Sequence, residues 1–252
     1  MKIEDFIYYT HEERDEALEI NPEIKVDVIE DSGMWYVWCE NVFKNLEKAI
    51  KFLQTFPAYD RIVTVPGSRQ YFTAVEVEPL TNLIQEISEK MYVNRKFDRG
   101  KFCFGSIISS NKNKTYENSW IPHVDYGDLT SQLYLTDYNG GTGLYKYKGY
   151  ISASDVPVEC IRPHYYKDIS YGGKYHTGKI GDWKKFDGDE DWELYHVIPS
   201  KKNCMGVFHG GYFHSTYAEL KEDIRYVLSS FYRMDFHHSG AESHPIILDK
   251  KQ

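Results

Sequence analysis

The segment from Trp120 to Leu144 contains the residues whose types and spacing are best suited to chemistry. It reads WIPHVDYGDLTSQLYLTDYNGGTGL, with His123 two positions before Asp125. Residues two apart on a strand point to the same face, so the imidazole and the carboxylate would lie side by side. Nitrogen and oxygen ligands of this kind bind divalent metal ions. A further histidine from elsewhere in the chain would complete a three-ligand metal site.

His214, in the segment GVFHGGYFHSTYAEL, is the third ligand that we predict. Two histidines and one carboxylate on one side of a metal are the ligand set of non-haem iron(II) sites with open coordination positions. A structural metal would more often be closed by a fourth protein ligand. His209 would face the other way on an unbroken strand, but Gly210-Gly211 could interrupt that strand. A His-x-Asp pair arises easily by chance, so the prediction depends on the rest of the pattern.

Arg225 follows His214 by eleven positions and opens the strand-like run RYVLSSFYR. Arg225, Val227 and Ser229 share one face of that strand with Phe231. A charged residue on a mainly apolar, inward face is costly unless it is paired, and a guanidinium matches a carboxylate in shape and charge. If a co-substrate of the metal is a dicarboxylate with one end chelating the ion, Arg225 is predicted to hold its other end. The alternative is an arginine that faces solvent from the end of a strand.

The first 100 residues are expected to support this site. Apolar residues at helical spacing predict helices over 46–53 and from Glu78 to Met91, and strand patterns occur at 24–29 and 34–39. Between the helices, Arg69 lies in VPGSRQYF, where Pro-Gly indicates a turn. Arg69 is therefore expected to be a solvated loop residue, although it could reach a substrate carboxylate.

From Lys101 onward, short strand-like runs are separated by Gly, Asn and Asp, and no helical pattern intervenes. About eight such strands indicate a sandwich, jelly roll or barrel. The strands are expected at Phe102–Ser109, Ile121–Asp125, Thr130–Thr136, Gly143–Tyr147, Trp192–Ile198, Cys204–Phe208, Tyr212–Thr216 and Arg225–Tyr232.

The whole chain, residues 1–252, is predicted to form one domain, because no linker is evident. Residues 1–100 would be the N-terminal support and residues 101–236 the β core. The long irregular insertion at 146–191 would be a lid or binding loop, or else a surface loop without a role. His164 and His176, with His196 just after the insertion, could touch a substrate.

Composition limits the possible partners. The net charge is −8 and no run of five basic residues occurs, which disfavours binding to nucleic acid. The four cysteines are widely spaced and form no C-x-x-C pair, so reduced thiols in the cytoplasm are expected rather than a disulfide framework. The N-terminus lacks the apolar core of a signal peptide, and no run of 18 apolar residues predicts a membrane span.

These motifs occur in an order that resembles the iron(II)/2-oxoglutarate-dependent dioxygenases. PHVD, YLTDYNGGTGLY and NCMGVFHGGYFHS look similar to the prolyl-hydroxylase-like branch, in which a Tyr-Leu-Asn strand leads to a Gly-Gly-Thr turn. With VPGSR, the pattern is similar to a little-characterised bacterial and phage subgroup. The resemblance covers roughly residues 100–236, and the subgroup match reaches back to about residue 60.

The resemblance implies a mainly β fold, with a double-stranded β-helix (a cupin-like jelly roll) as the core and flanking N-terminal helices. It implies iron, Fe(II), bound by His123, Asp125 and His214, and the co-substrate 2-oxoglutarate bound by Arg225. It further implies that dioxygen (O2) is used to hydroxylate a peptide or protein side chain, or a small molecule. The sequence does not indicate the oligomeric state.

Two positions depart from the family's pattern. Many relatives have a hydroxyl two residues after the arginine as a second carboxylate contact, whereas this chain has Val227. Tyr134 is a candidate to supply that contact instead. Thr136 replaces the usual asparagine before the turn, and neither departure removes a metal ligand.

Two other interpretations of the sequence stay open. One is a metalloenzyme of the cupin type that does not use 2-oxoglutarate. The other is a jelly-roll binding or structural protein whose metal site is vestigial. The first would bind metal without needing Arg225, and the second would bind no metal at all.

Overall fold

The computed structural model describes most of the chain. It covers residues 9–31, 33–60, 67–91, 103–109, 115–116, 120–125, 129–152, 155–156, 180–219 and 224–232, without the side chains of 60, 91, 103–109 and 115–116. Most of the insertion predicted at 146–191, including His164 and His176, lies outside these residues.

Three helices and thirteen strands form in the described ranges. The helices are α1 (His11–Ala17), α2 (Leu46–Leu53) and α3 (Glu78–Met91). The strands are β1 (Lys25–Asp31), β2 (Met34–Glu40), β3 (Tyr59–Asp60), β4 (Ser68–Phe72), β5 (Cys103–Ser109), β6 (Thr115–Tyr116), β7 (Leu129–Tyr134), β8 (Gly140–Tyr147), β9 (Ile180–Gly181), β10 (Trp192–Pro199), β11 (Cys204–His209), β12 (His214–Ala218) and β13 (Arg225–Tyr232). None of the helices in these ranges has the length and apolar composition needed to span a bilayer.

The two predicted helices form where the apolar spacing placed them. In α2, the Asn45 side chain caps the first turn by accepting a 3.0 Å hydrogen bond from the Lys48 backbone N–H. The apolar residues of α2 and α3 join one buried core with residues of β2, β7, β11 and β13. Helix α1, which begins with a capping box between Thr10 and Glu13, packs beside α2.

Two antiparallel sheets that face each other contain all the strands except β6 and β9, which pair as a separate two-stranded sheet. The large sheet has the order β1-β2-β11-β7-β13-β5-β4-β3, and the small sheet has the order β10-β8-β12. After β7, the chain passes to β8 and β10 of the small sheet, then to β11, β12 and β13 in alternation between the sheets. This winding is a double-stranded β-helix, so the predicted mainly β jelly-roll fold with flanking helices is confirmed.

Alternate residues of β7 point into the space between the two sheets. Thr130 reaches Asp125 with its hydroxyl, and Tyr134 reaches Thr142 of β8 in the small sheet. Gln132 shares that face, and its amide oxygen accepts a 2.8 Å hydrogen bond from the Ser229 hydroxyl of β13. The inner faces of β7 and β13 therefore line one interior space, from the Thr130 end to the Tyr134 end.

The Gly-Gly-Thr turn is required by the close approach of β8 to its neighbours. Gly140 has a φ of +120°, and a Cβ atom there would lie 2.0 Å from the Tyr217 carbonyl oxygen. A Cβ atom on Gly141 would lie 1.9 Å from the carbonyl oxygen of Ile198 in β10. Both obstructing atoms belong to the backbone of paired strands, so side-chain rotation cannot relieve either clash.

We expect Gly141→Ala to destabilise the fold by at least the roughly 1–3 kcal/mol of ordinary overpacking, because β8 and β10 must separate locally. Urea-induced unfolding would measure the change in the free energy of unfolding. Gly149→Ala is the matched control: nothing lies within 4 Å of its added Cβ, so only the strain at a φ of +90° remains, about 1 kcal/mol. Equal effects for the two variants would contradict this account of the turn.

Several details differ from the sequence predictions. The strand predicted at Ile121–Asp125 is reduced to one bridge, between His123 and His214. The strand predicted at Tyr212–Thr216 begins at His214 and ends at Ala218. Strands β3 and β4 were not predicted at all. The prediction that Arg69 is a solvated loop residue was wrong, because Arg69 lies in β4 and is partly buried.

Candidate metal centre

The side chains of His123, Asp125 and His214 meet at one end of the interior space. One potential ligand atom from each lies within 4.8 Å of the other two. Asp125 Oδ2 is 3.0 Å from His214 Nε2, and Asp125 Oδ1 is 3.8 Å from His123 Nε2. Within the part of the chain that the structure describes, this is the one such group of three metal-binding side chains.

Backbone pairing brings these distant residues together. The His123 N–H donates to the His214 carbonyl at 2.9 Å, and the His214 N–H donates back to the His123 carbonyl at 2.8 Å. Directly opposed residues of an antiparallel pair point to the same face, so both imidazoles project to one side. The Asp125 N–H donates to the carbonyl of Gly210 at 2.9 Å, which fixes the carboxylate beside them.

A backbone carbonyl sets the orientation of the His214 ring. His214 Nδ1 lies 2.9 Å from the carbonyl oxygen of Tyr212, and a carbonyl can only accept, so Nδ1 carries the proton. Nε2 then faces Asp125 and the space between the three side chains, where it can donate to the carboxylate when protonated and bind a metal when it is not. The Phe208 ring packs edge-on against the imidazole, with ring centroids 5.1 Å apart. A histidine held in one tautomer by a hydrogen bond is typical of metal ligands.

Asp125 is held by a hydroxyl that sequence reasoning missed. Thr130 Oγ1 donates a 2.7 Å hydrogen bond to Asp125 Oδ2. Because Thr130 also points inward from β7, this bond ties the carboxylate to the large sheet. Threonine is common on strands, so nothing in the sequence distinguishes this residue from the neighbouring polar positions.

We expect Thr130→Val to weaken metal binding by about 10- to 100-fold, the usual effect of losing a partner of a ligating side chain. Valine keeps the branched shape, so the large sheet should remain intact. Thr130→Ser retains the hydroxyl and should bind metal nearly as the parent does. Calorimetric titration with iron(II) under anaerobic conditions measures both variants, and equal metal affinities for them would contradict this role.

The charges of the three side chains depend on one another. Burial disfavours the ionised form of Asp125, but the neighbouring His214 and its hydrogen bond outweigh this and lower the carboxyl pKa. Burial on its own would lower the pKa of His214, but the nearby Asp125 carboxylate raises it by more, so the His214 pKa lies above its ordinary value. Burial, and then His214, lower the pKa of His123 to about 4. A metal that binds at neutral pH would therefore find His123 neutral and Asp125 ionised, and would have to displace any extra proton that His214 carries.

Arg225 lies at the other end of the interior space, at the start of β13. The residue is 1% exposed, and burial lowers the pKa of its guanidinium, while Tyr134 and Tyr138 oppose that shift. Along β13, Phe231 is paired with Thr130 at the metal end, and Val227 is paired with Tyr134 at the far end. The four-residue step from Thr130 to Tyr134 spans about 13 Å of strand. An elongated ligand in this space would therefore reach from the three clustered side chains to the guanidinium.

Tyr134 is a buried, neutral phenol. Its hydroxyl lies 2.8 Å from Thr142 Oγ1, and burial raises its pKa to about 12. Val227 is fully buried beside it, so the position where many relatives have a hydroxyl is apolar here. Tyr134 is paired with Val227 and therefore lies on the same inward face as Arg225.

His209 is not one of the three clustered side chains. Its Nδ1 atom instead accepts a 3.0 Å hydrogen bond from the Gly211 N–H, within the turn that leads to β12. The carbonyl of Gly210 in the same turn accepts a hydrogen bond from the Asp125 backbone N–H, so this turn helps to position Asp125. His196 lies in β10 and forms a 3.2 Å hydrogen bond with the Tyr36 hydroxyl.

Comparison with known proteins gives distant structural likenesses. No family model and no curated protein matches the sequence. A prolyl-4-hydroxylase from Pseudomonas putida is 10% identical, covers 79% of this chain and 91% of its own, and has a TM-score of 0.39. A prolyl hydroxylase from Trichoplax adhaerens, solved with a peptide fragment of hypoxia inducible factor, is 11% identical over 79% and 83% of the two chains, with a TM-score of 0.45.

A third similar structure is HygX from Streptomyces hygroscopicus, solved with nickel and 2-oxoglutarate bound. It is 11% identical over 80% of this chain and 83% of its own, with a TM-score of 0.43. These are proteins of the class that the sequence motifs resemble. At such low identities and TM-scores, they establish neither an activity nor a substrate for this chain.

Proposed function

We propose that this chain is an iron(II)- and 2-oxoglutarate-dependent oxygenase. One observation carries the proposal: the cluster of His123, Asp125 and His214 and the buried Arg225 lie at opposite ends of one interior space. A metal site alone would fit many enzymes. The buried guanidinium at the far end of the same strands suits the anionic end of an elongated ligand in shape and charge.

The donor set suits iron(II). Two imidazole nitrogens and one carboxylate oxygen on one side leave coordination positions for a chelating co-substrate and dioxygen. His123, Asp125 and His214 would hold the ion, with Tyr212 and Thr130 fixing two of the ligands. When bound, iron(II) supplies the redox chemistry that couples the oxidative decarboxylation of 2-oxoglutarate to the oxidation of a substrate C–H bond.

The protein's own contribution is binding, orientation and exclusion of water. Arg225 would bind the distal carboxylate of 2-oxoglutarate through its planar fork of donors. Tyr134 remains a neutral phenol at neutral pH because burial raises its pKa to about 12, so it can donate a hydrogen bond to the same carboxylate. Both side chains are almost fully buried, and the absence of bulk water strengthens their attraction for an anion.

The substrate proposed is a peptide or protein side chain, or a small molecule, which the enzyme hydroxylates. The resemblance to the prolyl-hydroxylase-like branch supports a peptide, and the net charge of −8 argues against nucleic acid. We also retain the cytoplasm as the proposed location, since Cys39 and Cys204 are free, buried thiols that suit a reducing compartment.

The first experiment is an anaerobic titration of metal-free protein with iron(II) and then 2-oxoglutarate. A weak visible charge-transfer band is expected when 2-oxoglutarate chelates the bound iron. Iron binding without the band would favour a cupin-type enzyme that does not use 2-oxoglutarate. No iron binding would favour a binding or structural protein with a vestigial site, and either result would overturn the proposal.

The substrate is sought by screening peptides, free amino acids and oligonucleotides for stimulation of succinate release. A peptide that stimulates release and gains 16 mass units, the mass of one oxygen atom, would establish hydroxylation. Stimulation without this gain in mass would leave an oxygenase of another reaction type.

A further inference from the structure

Arg69 shares a face of the large sheet with the residues at the far end of the interior space. Through β5, Arg69 pairs with Ile107, Ile107 pairs with Val227, and Val227 pairs with Tyr134. Residues directly opposite each other in antiparallel strands point to the same face. Arg69 therefore belongs to one cross-strand row with Val227 and Tyr134.

Two residues from the rows on either side confirm that this face is the inner one. Gln70 and Tyr226, each next in sequence to an arginine, point to the opposite face, where the Tyr226 hydroxyl donates to Gln70 Oε1 at 2.9 Å. Gln70 Nε2 in turn donates to the carbonyls of Leu53 and Phe56 at and just after the end of α2. The face carrying Gln70 and Tyr226 is thus covered by the helices, which leaves Arg69 and Arg225 on the face of the interior space.

The two arginines influence each other electrostatically. Burial lowers the pKa of Arg69 to about 10, and Arg225 contributes to that shift, while Tyr71 opposes it. Two strand spacings of about 4.8 Å separate Arg69 from Val227, so their backbones are about 10 Å apart. The long arginine side chains can bring both guanidinium groups to a ligand that lies over Val227.

We propose that Arg69 is a second cation of the pocket for the distal carboxylate of 2-oxoglutarate, acting together with Arg225. This rests on the proposed function. Arg69 is level with Tyr134 rather than with Thr130 at the metal end, which places it beside the far end of the co-substrate and away from the reacting atoms. A carboxylate between two guanidinium groups offsets the repulsion between them and uses both of its oxygens.

The test compares 2-oxoglutarate with 2-oxopentanoate, which has a methyl group in place of the distal carboxylate. Calorimetric titrations use the manganese(II)-loaded protein, so that no turnover occurs. Arg69→Gln should weaken 2-oxoglutarate binding by about 10- to 100-fold, the effect of losing a charge-assisted hydrogen bond. Binding of 2-oxopentanoate should not change. Arg69→Lys, which keeps the charge but loses the fork, should fall between Arg69→Gln and the parent.

Lys44→Gln is the matched control for the loss of one positive charge. Lys44 forms an exposed ion pair with Glu19, away from the interior space, so this variant should bind 2-oxoglutarate as the parent does. Thermal unfolding of each variant checks that the fold is retained. If Arg69→Gln does not fold, the 2-oxoglutarate affinity of Arg69→Lys is compared with that of the parent instead.

Three results would overturn the inference, and they are distinguishable. If Arg225→Gln loses 2-oxoglutarate but Arg69→Gln does not, Arg69 lies outside the pocket and the proposed function stands. If Arg69→Gln weakens both ligands equally, it acts through the fold and not through the carboxylate. If the parent protein binds metal but no 2-oxoglutarate, the proposed function itself fails and the inference fails with it.

Discussion

Replacing His214 by alanine will remove iron(II) binding and, with it, any oxygenase activity. The imidazole is almost fully buried, and its Nε2 atom is 3.0 Å from Asp125 Oδ2, so no water-exposed side chain can take its place. The loss of a ligand should exceed the 10- to 100-fold effect of losing a supporting hydrogen bond, so we expect an affinity at least about 100-fold lower. Anaerobic calorimetric titration with iron(II) measures this directly, and Asp125→Ala should behave in the same way.

His196→Ala is the matched control for this experiment. Leu144 of the central strand β8 is paired on one side with His196 of β10 and on the other side with His214 of β12. The two histidines therefore flank one residue of the small sheet. His196 is held by the Tyr36 hydroxyl and is outside the three-ligand cluster, so its removal should leave iron binding unchanged. If His214→Ala bound iron with the parent's affinity, the metal would have to be elsewhere and the proposed site would be wrong.

The elements that the sequence predicted well are those with a regular apolar period or a mainly apolar run. Helices α2 and α3 occupy the predicted ranges because their apolar residues repeat at helical spacing, and β13 does so as a short, mainly apolar run. Strand β4 was missed for a physical reason: its five residues, SRQYF, have polar side chains on both faces. Gln70 is satisfied by carbonyls at the end of α2, a contact that no local pattern can indicate.

The sequence could predict which three side chains form the candidate cluster, but not which residues support them. Residue type and order pointed to His123, Asp125 and His214, because few side chains bind iron(II) in this arrangement. The reciprocal backbone bridge between His123 and His214 joins segments far apart in sequence, so it follows from the sheet topology alone. The hydrogen bond from Thr130 depends on the register of β7 in the same way.

The pairing of strands β7 and β13 sets the distance between the two ends of the candidate site. Their paired positions run from Thr130 and Phe231, beside the cluster of His123, Asp125 and His214, to Tyr134 and Val227 beside Arg225. A shift of one residue in this register would turn Thr130 and Tyr134 to the helix-covered face and separate them from Asp125 and Thr142. The spacing between the cluster and the Arg225 guanidinium is therefore fixed by the pairing of two central strands and not by a loop.

The second large effect is expected for Arg225→Gln, which removes the cation at the far end of the interior space. The variant should retain iron(II) binding but lose 2-oxoglutarate binding. Truncating one partner of a buried, hydrogen-bonded charge pair costs about 2 to 5 kcal/mol of binding free energy. The dissociation constant for 2-oxoglutarate should therefore rise by a factor between about 30 and several thousand. Titration of the iron-loaded variant with 2-oxoglutarate, followed by the charge-transfer band, measures the change.

Arg225→Lys separates charge from geometry. Lysine keeps the positive charge but presents a single ammonium instead of a planar fork, so we expect an intermediate loss of 2-oxoglutarate affinity. If Arg225→Gln bound both iron and 2-oxoglutarate like the parent, the distal carboxylate would be held by other residues. The interior space between β7 and β13 would then not be the co-substrate pocket.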